Sequence, residues 1–247
     1  MVNYIEILKW MIDRKVNFCT IKNCQLSPDN PNVFIRHDVD DKPDATTWML
    51  NHENKLGVKS MVYIMPHLIP SELLFYEQNG WEIGPHISAE MKGRFSNPKT
   101  YDIDKTWILN GIIFYLNALK QFDIRSYTFH GQVDSFRDTL IPIISDNYPK
   151  LVEEVDFVTK RMFSILHISD SMSPNKLGMN RKFFFHWKIP VPTWFPQDLL
   201  APIRTEDPLY DYNHLKLCID NMLNGGVYSL LIHPQHWNRE GEYALVV

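Results

Sequence analysis

Strand-like and helix-like segments alternate along the whole chain, and this alternation limits the possible folds more than any other feature. The strand patterns fall at residues 36–41, 59–65, 81–87, 126–131, 163–169 and 227–232. Most of them are separated by helix patterns, at residues 43–54, 71–80, 104–121 and 213–223. Such alternation predicts βα units and therefore an α/β fold with a parallel sheet. The last strand segment is apolar almost throughout, which suits a strand covered on both faces.

The length and composition favour one domain. A single (β/α) barrel commonly reaches about 250 residues, and this chain has 247, of which 45% are hydrophobic and 22% charged. We find no repeat, low-complexity tract or linker-like segment. We therefore expect one domain over residues 1–247, in which residues 1–32 form an N-terminal helix and a lead-in loop.

The charge and the N-terminus exclude several classes of protein. The net charge is −4 and the chain has no Lys/Arg cluster, so nucleic acid is not an expected partner. The first residues do not have the pattern of a secretory signal, and no apolar run approaches the ~18 residues of a membrane span. Three cysteines without a Cys-x-x-Cys pair fit a reducing compartment. We expect a cytoplasmic protein, and the sequence leaves its oligomeric state open.

A cluster of charged residues ends the first strand pattern, at residues 36–41. Side chains alternate along a strand, so Arg36, Asp38 and Asp40 would share one face while His37 and Asp41 share the other. An unpaired buried charge is strongly disfavoured, and packing alone does not account for such an ending. The stretch is therefore either a metal or acid-base site or a charged turn that ends the strand.

Other predicted strands also end in a histidine or an aspartate. These residues are His86, His130, Asp170 and His233. In parallel α/β barrels, active sites are assembled from different strands at the carboxyl-terminal rim. These four strand ends, together with residues 36–41, predict one site at this rim.

The motifs at these strand ends, taken in order, resemble those of a known superfamily. They are Arg-His-Asp-Val-Asp, Glu-Ile-Gly-Pro-His, His-Gly, Ser-Asp-Ser and His-Pro-Gln-His-Trp, between residues 36 and 237. This set resembles the polysaccharide deacetylases (NodB homology, carbohydrate esterase family 4), in particular a divergent branch with His-Asp-Val-Asp. The resemblance implies a distorted (β/α)7 barrel that removes N- or O-acetyl groups from sugars with a divalent metal.

The resemblance also implies roles for individual residues. Asp38 matches the general base that activates water, and Asp40 matches the metal-binding aspartate, although Val39 separates the two. His86 matches the first histidine of the metal motif. His233 matches the general acid that protonates the leaving group.

The third metal ligand is either Glu90 or His130. Glu90 stands where the family has its second histidine, but residues four apart on a strand are about 13 Å apart. Glu90 can therefore bind the metal only if the chain turns after His86. Carboxylate oxygen and imidazole nitrogen are both accepted by zinc, the metal that we expect.

Four further residues are candidates around the site. Arg36 would keep Asp38 ionised through its charge, and Asp170 would orient a histidine by a hydrogen bond. His37, on the opposite strand face, would support the site without binding the metal. Trp237 would stack on a sugar face or, as aromatic residues more often do, pack in the core.

These observations predict a metal-dependent hydrolase that removes an acetyl group from an N-acetylated sugar. With a cytoplasmic location, the substrate would be a precursor of a surface polysaccharide such as an O-antigen or a capsule. One alternative is a metal-dependent hydrolase of a different amide or ester bond, because fold does not determine reaction. The other is a barrel that binds sugar without turnover.

Overall fold

The computed structural model describes residues 3–88, 105–130, 134–162, 166–169, 184–187 and 212–237. Its strands are β1 Asn17–Cys19, β2 Asn32–Val39, β3 Met61–Ile64, β4 Glu82–Ser88, β5 Ser126–His130, β6 Val152–Glu153, β7 Leu166–Ser169, β8 Phe184–Trp187 and β9 Val227–Ile232. Its α-helices are α1 Tyr4–Asp13, α2 Pro43–Leu56, α3 Leu73–Gln78, α4 Lys105–Ala118, α5 Asp134–Asn147 and α6 Tyr212–Asp220. Two 3-10 turns at Pro66–Leu68 and Pro234–His236 and a π-helix at Asp156–Arg161 complete the described elements.

The strands form one curled sheet in the order β6-β5-β4-β3-β2-β9-β7-β8, with β1 beside the start of β2. From β6 to β7 every neighbouring pair is parallel, and only β8 runs antiparallel to its neighbour. Around the barrel the spatial order follows the chain order except that β8 lies outside β7, and within the described residues the two unpaired edges of the sheet are β6 and β8. This arrangement confirms the predicted distorted (β/α) barrel.

Strand β2 lies at the centre of the sheet and all eight of its residues are buried. Its side chains alternate between two environments. Val33 and Ile35 pack against α1, α2 and α6, whereas Phe34 packs inside the barrel with Met61 and Tyr63. The next interior positions on β2 are Arg36 and Asp38, so the alternation of the strand carries charged side chains from the barrel interior to the rim.

The barrel interior also requires a glycine at position 84. A methyl group on Gly84 would collide with the ring of Tyr63, whose hydroxyl lies 2.6 Å from the hydroxyl of Ser126. Ser126 in turn donates to the buried carboxylate of Glu82. A polar network therefore fills the barrel below the charged residues of β2, and it fits only because β4 has no side chain at this position.

The ends of α2 agree with the sequence pattern. Pro43 begins the helix, and Gly57 ends it in the left-handed conformation at φ 70°, which glycine adopts without a steric penalty. The sequence did not predict β6 or the π-helix at Asp156–Arg161. Within the described residues, no helix has the length and apolar character that a membrane span requires.

Candidate metal and acid-base site

The carboxyl-terminal ends of β2, β4, β5 and β9 bring four of the predicted residues together. Asp40 follows β2, His86 lies near the end of β4, His130 ends β5 and His233 follows β9. Since these parallel strands all run in one direction, their ends meet at one rim. The predicted convergence of strand ends is therefore seen in the structure for these four residues.

A tight turn after β2 presents Asp40. The turn runs from Asp40 to Lys42, where Lys42 adopts the left-handed conformation at φ 49° and its backbone N–H donates to the Asp41 carboxylate at 2.8 Å. A left-handed conformation costs a non-glycine residue about 1–2 kcal/mol, and such strain is often found at functional sites. Pro43 then starts α2, so the chain leaves the rim at once.

The side chains of Asp40, His86 and His130 form a triangle of potential ligand atoms. Oδ1 of Asp40 lies 2.8 Å from Nδ1 of His130 and 3.0 Å from Nε2 of His86, and the two nitrogens are 3.3 Å apart. Asp40 is one-fifth exposed and His86 is buried. Within the described residues, this trio is the set of side chains whose spacing could hold a metal ion.

The triangle has the dimensions of one face of a tetrahedral zinc site. Ligand atoms at zinc–ligand distances of ~2.0–2.1 Å and tetrahedral angles are about 3.3 Å apart, close to the three separations in the structure. One carboxylate oxygen and two imidazole nitrogens are also a donor set that zinc accepts. In addition, Nδ1 of His86 lies 2.6 Å from the Thr128 hydroxyl, and such a contact fixes which ring nitrogen faces the site. The residues present therefore fit a divalent metal.

The protonation states of Asp40 and His130 depend on each other. Burial by itself would raise the pKa of Asp40, but hydrogen bonds from His130 and His86 outweigh it and lower the pKa far below its usual range. The hydrogen bond to Asp40 raises the pKa of His130, against the opposing effect of burial. Asp40 is therefore an anion at neutral pH, which a metal ligand has to be.

Asp38 lies beside this triangle and is held by Arg36. The guanidinium donates from Nε to Oδ1 of Asp38 at 2.7 Å and from Nη2 to Oδ2 at 2.5 Å, so both carboxylate oxygens are bound. Oδ2 of Asp38 is also 3.8 Å from Nε2 of His86. Burial would raise the pKa of Asp38, but the charge of Arg36 outweighs it and lowers the pKa. Arg36 therefore favours the ionised form of this buried carboxylate.

A second buried carboxylate, Glu154, lies on the other side of Arg36 and was not predicted from the sequence. It follows β6, is fully buried, and accepts from Nη1 of Arg36 at 2.8 Å. Its other oxygen has no hydrogen-bond partner among the described residues. Burial, only partly opposed by Arg36, raises the pKa of Glu154 to about 7. The sequence feature that could have pointed to this buried carboxylate is the pair of consecutive glutamates within the largely apolar stretch 151–158.

The turn after β9 supplies two more groups. Nε2 of His233 lies 3.8 Å from Oδ2 of Asp40, and Nε2 of Gln235 donates to the same oxygen at 3.0 Å. The contact of Gln235 was not predicted, although the residue lies inside the His-Pro-Gln-His-Trp motif. The turn therefore contacts Oδ2 of Asp40, the oxygen that does not face His86 and His130.

The structure also shows where two further candidates lie. His37 is on the helix-facing side of β2, as the strand alternation predicts, but its Nε2 is 2.6 Å from the buried carboxylate of Glu53, so the expected supporting role at the rim site is wrong. Trp237 is 3% exposed and packs edge-on against Tyr4 in the hydrophobic core. Of the two alternatives for this residue, the structure therefore has core packing and not stacking on a sugar. Glu90 and Asp170, the other two candidates, lie outside the described residues.

No protein-family model and no curated protein matches the sequence, whereas solved structures do. An esterase of carbohydrate esterase family 4 (CE4) from Streptococcus mutans is 11% identical, covers 94% of this chain and 79% of its own, and has a TM-score of 0.45. A Bordetella bronchiseptica protein assigned to polysaccharide deacetylation in O-antigen biosynthesis is 12% identical, covers 89% and 79%, and also has a TM-score of 0.45.

For other matches, less than two thirds of the matched chain is covered. The chain spans 59% of a CE4 family pseudoenzyme from Bacillus anthracis, which is 13% identical over 85% of this chain with a TM-score of 0.41. It spans 49% of a CE4 domain from the hindgut metagenome of Trinervitermes trinervoides, which is 15% identical over 42% of this chain with a TM-score of 0.30. At identities of 11–15% and TM-scores of 0.30–0.45 these matches assign no function to this chain, and its function therefore has to be inferred from its own side chains.

Proposed function

We propose that this protein is a metal-dependent hydrolase that removes the acetyl group from an N-acetylated sugar. The observation that carries the proposal is the triangle of Asp40, His86 and His130, with the ionised carboxylate of Asp38 beside it. A metal site that adjoins a carboxylate able to accept a proton is a combination suited to hydrolysis of an unactivated amide.

Asp40, His86 and His130 would hold the metal, for which zinc is the best fit to the donor set. A divalent metal bound there would polarise the acetyl carbonyl and lower the pKa of a bound water. His130 is the proposed third ligand, since it already lies within 3.3 Å of both other ligand atoms. All three side chains come from strand ends, and their positions are therefore set by the sheet.

Asp38 would act as the general base. It is buried and its charge is maintained by Arg36, so it can accept a proton from water at neutral pH. The bidentate contact with Arg36 also fixes the direction of the carboxylate, because both of its oxygens are bound. Val39 does not prevent this division of roles, since the turn after β2 lets Asp40 join the histidines while Asp38 stays on the strand.

His233 would act as the general acid that protonates the leaving amine. Its ring is mostly buried and its Nε2 lies 3.8 Å from Asp40, so it is next to the reacting groups without being part of the ligand triangle. Histidine is the side chain that most often transfers protons in catalysis. As the water oxygen bonds to the acetyl carbon, Asp38 would take the water proton, and as the C–N bond breaks, His233 would protonate the nitrogen. Loss of the proton from Asp38 to solvent and uptake of one by His233 would then restore both groups.

For the substrate we propose a cytoplasmic N-acetyl sugar in a precursor of a surface polysaccharide, such as an O-antigen or a capsule. The support is the resemblance of the motifs at residues 36–237 to polysaccharide deacetylases. We also propose that the whole chain, residues 1–247, is a single barrel domain.

A panel of acyl substrates tests the proposal. Purified protein loaded with zinc is expected to release acetate from N-acetyl sugars faster than it cleaves other amides or esters. Asp38→Asn should lower kcat by at least about 100-fold, the lower range of what a general base contributes. Asp29→Asn, a change at an exposed aspartate, is the matched control and should leave kcat unchanged. Turnover that survives in Asp38→Asn would refute the assigned base, and cleavage of another bond in preference would refute the reaction.

A further inference from the structure

The two oxygens of the Asp40 carboxylate have different surroundings. Oδ1 faces the two histidine nitrogens at 2.8 and 3.0 Å, whereas Oδ2 faces the turn after β9. The two oxygens are chemically equivalent, but the plane of the carboxylate can rotate about its last bond. A contact to the second oxygen can fix the plane in which one oxygen faces the histidines.

Gln235 makes that contact. Its Nε2 donates to Oδ2 of Asp40 at 3.0 Å, whereas His233, the other group near this oxygen, is at 3.8 Å and beyond hydrogen-bond distance. A carboxylate can only accept, so the amide nitrogen has to be the atom that faces Asp40.

The turn that carries Gln235 is itself well fixed. Pro234 begins a 3-10 turn, and backbone hydrogen bonds close it from His236 to His233 at 2.9 Å and from Trp237 to Pro234 at 3.0 Å. Trp237 anchors the far end of the turn in the hydrophobic core. The backbone that carries Gln235 is therefore fixed by the fold, and the hydrogen bond to Asp40 holds its amide.

We propose that Gln235 is a positioning residue for the metal site: it binds Oδ2 of Asp40 and thereby leaves Oδ1 as the single metal-binding oxygen. This inference rests on the metal site of the proposed function. A neutral amide suits the task, because a lysine or arginine there would repel the metal. The hydrogen bond from Gln235 turns Oδ2 away from the histidines and favours metal binding through Oδ1 alone, which keeps a coordination position open for water.

Metal affinity, measured without any substrate, tests the role of Gln235. The affinity of the protein for Zn²⁺ would be obtained by competition with a chromophoric chelator. Partners that orient metal ligands typically contribute about 10- to 100-fold in affinity, and we expect a loss of this size in Gln235→Met, which keeps the side-chain length but removes the donor. Gln235→Asn keeps the amide but shortens its reach, so we expect a similar loss.

Gln78→Met is the matched control, since Gln78 is exposed on α3, and its affinity for Zn²⁺ should equal that of the parent. The Tm of the metal-free variants at position 235 should also stay close to that of the parent, which a merely structural role would not allow. An unchanged affinity in Gln235→Met, in a parent that binds about one Zn²⁺, would overturn this inference alone. A parent that binds no Zn²⁺ would overturn the metal site and this inference with it.

Discussion

Glu154 gives the sharpest quantitative prediction, because it is a fully buried carboxylate whose pKa is raised. Burial raises that pKa from the ordinary 4.5 to about 7, although Arg36 opposes the effect. The folded protein therefore holds this proton more tightly than the unfolded chain does. Between pH 4.5 and about pH 7 the folded state binds more protons than the unfolded chain. The free energy of unfolding therefore falls as the pH rises through this window.

The size of the effect follows from the same values. A factor of ten in an acid constant corresponds to about 1.4 kcal/mol, so the shift from 4.5 to about 7 is equivalent to about 3 kcal/mol. This contribution is fully present below the unfolded pKa and is lost above the folded pKa. Glu154→Gln removes the titrating group but keeps an oxygen that can accept from Arg36.

Unfolding by urea, followed by tryptophan fluorescence in the presence of a chelator, measures the effect. Relative to the parent, Glu154→Gln should gain about 3 kcal/mol between about pH 4 and about pH 8. Any cost of burying the amide is the same at every pH and cancels in this comparison. The exposed Glu72→Gln change is the control, since it removes a carboxylate far from the Arg36 pair. If the curves of parent and Glu154→Gln run parallel, the account of this buried group is wrong.

Three further predictions concern the groups around the site. Arg36→Met leaves two buried carboxylates without a counter-charge, and urea unfolding at neutral pH should show a loss of about 3–5 kcal/mol; a loss close to zero would contradict the buried ion pairs. Because the hydrogen bond to Asp40 raises the pKa of His130, Zn²⁺ should bind more weakly as the pH falls through that raised pKa, since a histidine ligand has to be neutral. Chelator competition over a pH series checks this, and a pH-independent affinity would refute it. Trp237→Phe should lower the Tm while leaving KM for an N-acetyl sugar unchanged, and a selective rise in KM would restore Trp237 as a sugar contact.

The sequence was sufficient to predict the rim and most of the groups on it. Parallel strands place their carboxyl ends together, so His86, His130 and His233 could be assigned to one site without knowledge of any distance. The alternation of side chains along a strand also correctly placed Asp38 and His37 on opposite faces of β2. Both predictions depend on local periodicity, which a single sequence carries directly.

The contacts that the sequence missed all depend on long-range packing. Glu154 lies 118 positions from Arg36 and follows a two-residue strand, too short for any periodic pattern to reveal. Gln235 is 195 positions from Asp40, and only the geometry of the turn after β9 shows that its amide reaches the carboxylate. For the same reason the sequence left two places open for Trp237, since an aromatic side chain next to a motif can point towards either the site or the core.

The most direct test of the central claim is to measure bound metal and acetate release in the same samples. After zinc loading and removal of excess metal, the parent should contain about one zinc ion per chain, and acetate release from an N-acetyl sugar should disappear with a chelator and return with zinc. His86→Ala should lose both the metal and the activity. A parent that holds no stoichiometric metal after loading, or one that releases acetate equally well with and without it, would contradict the proposed function.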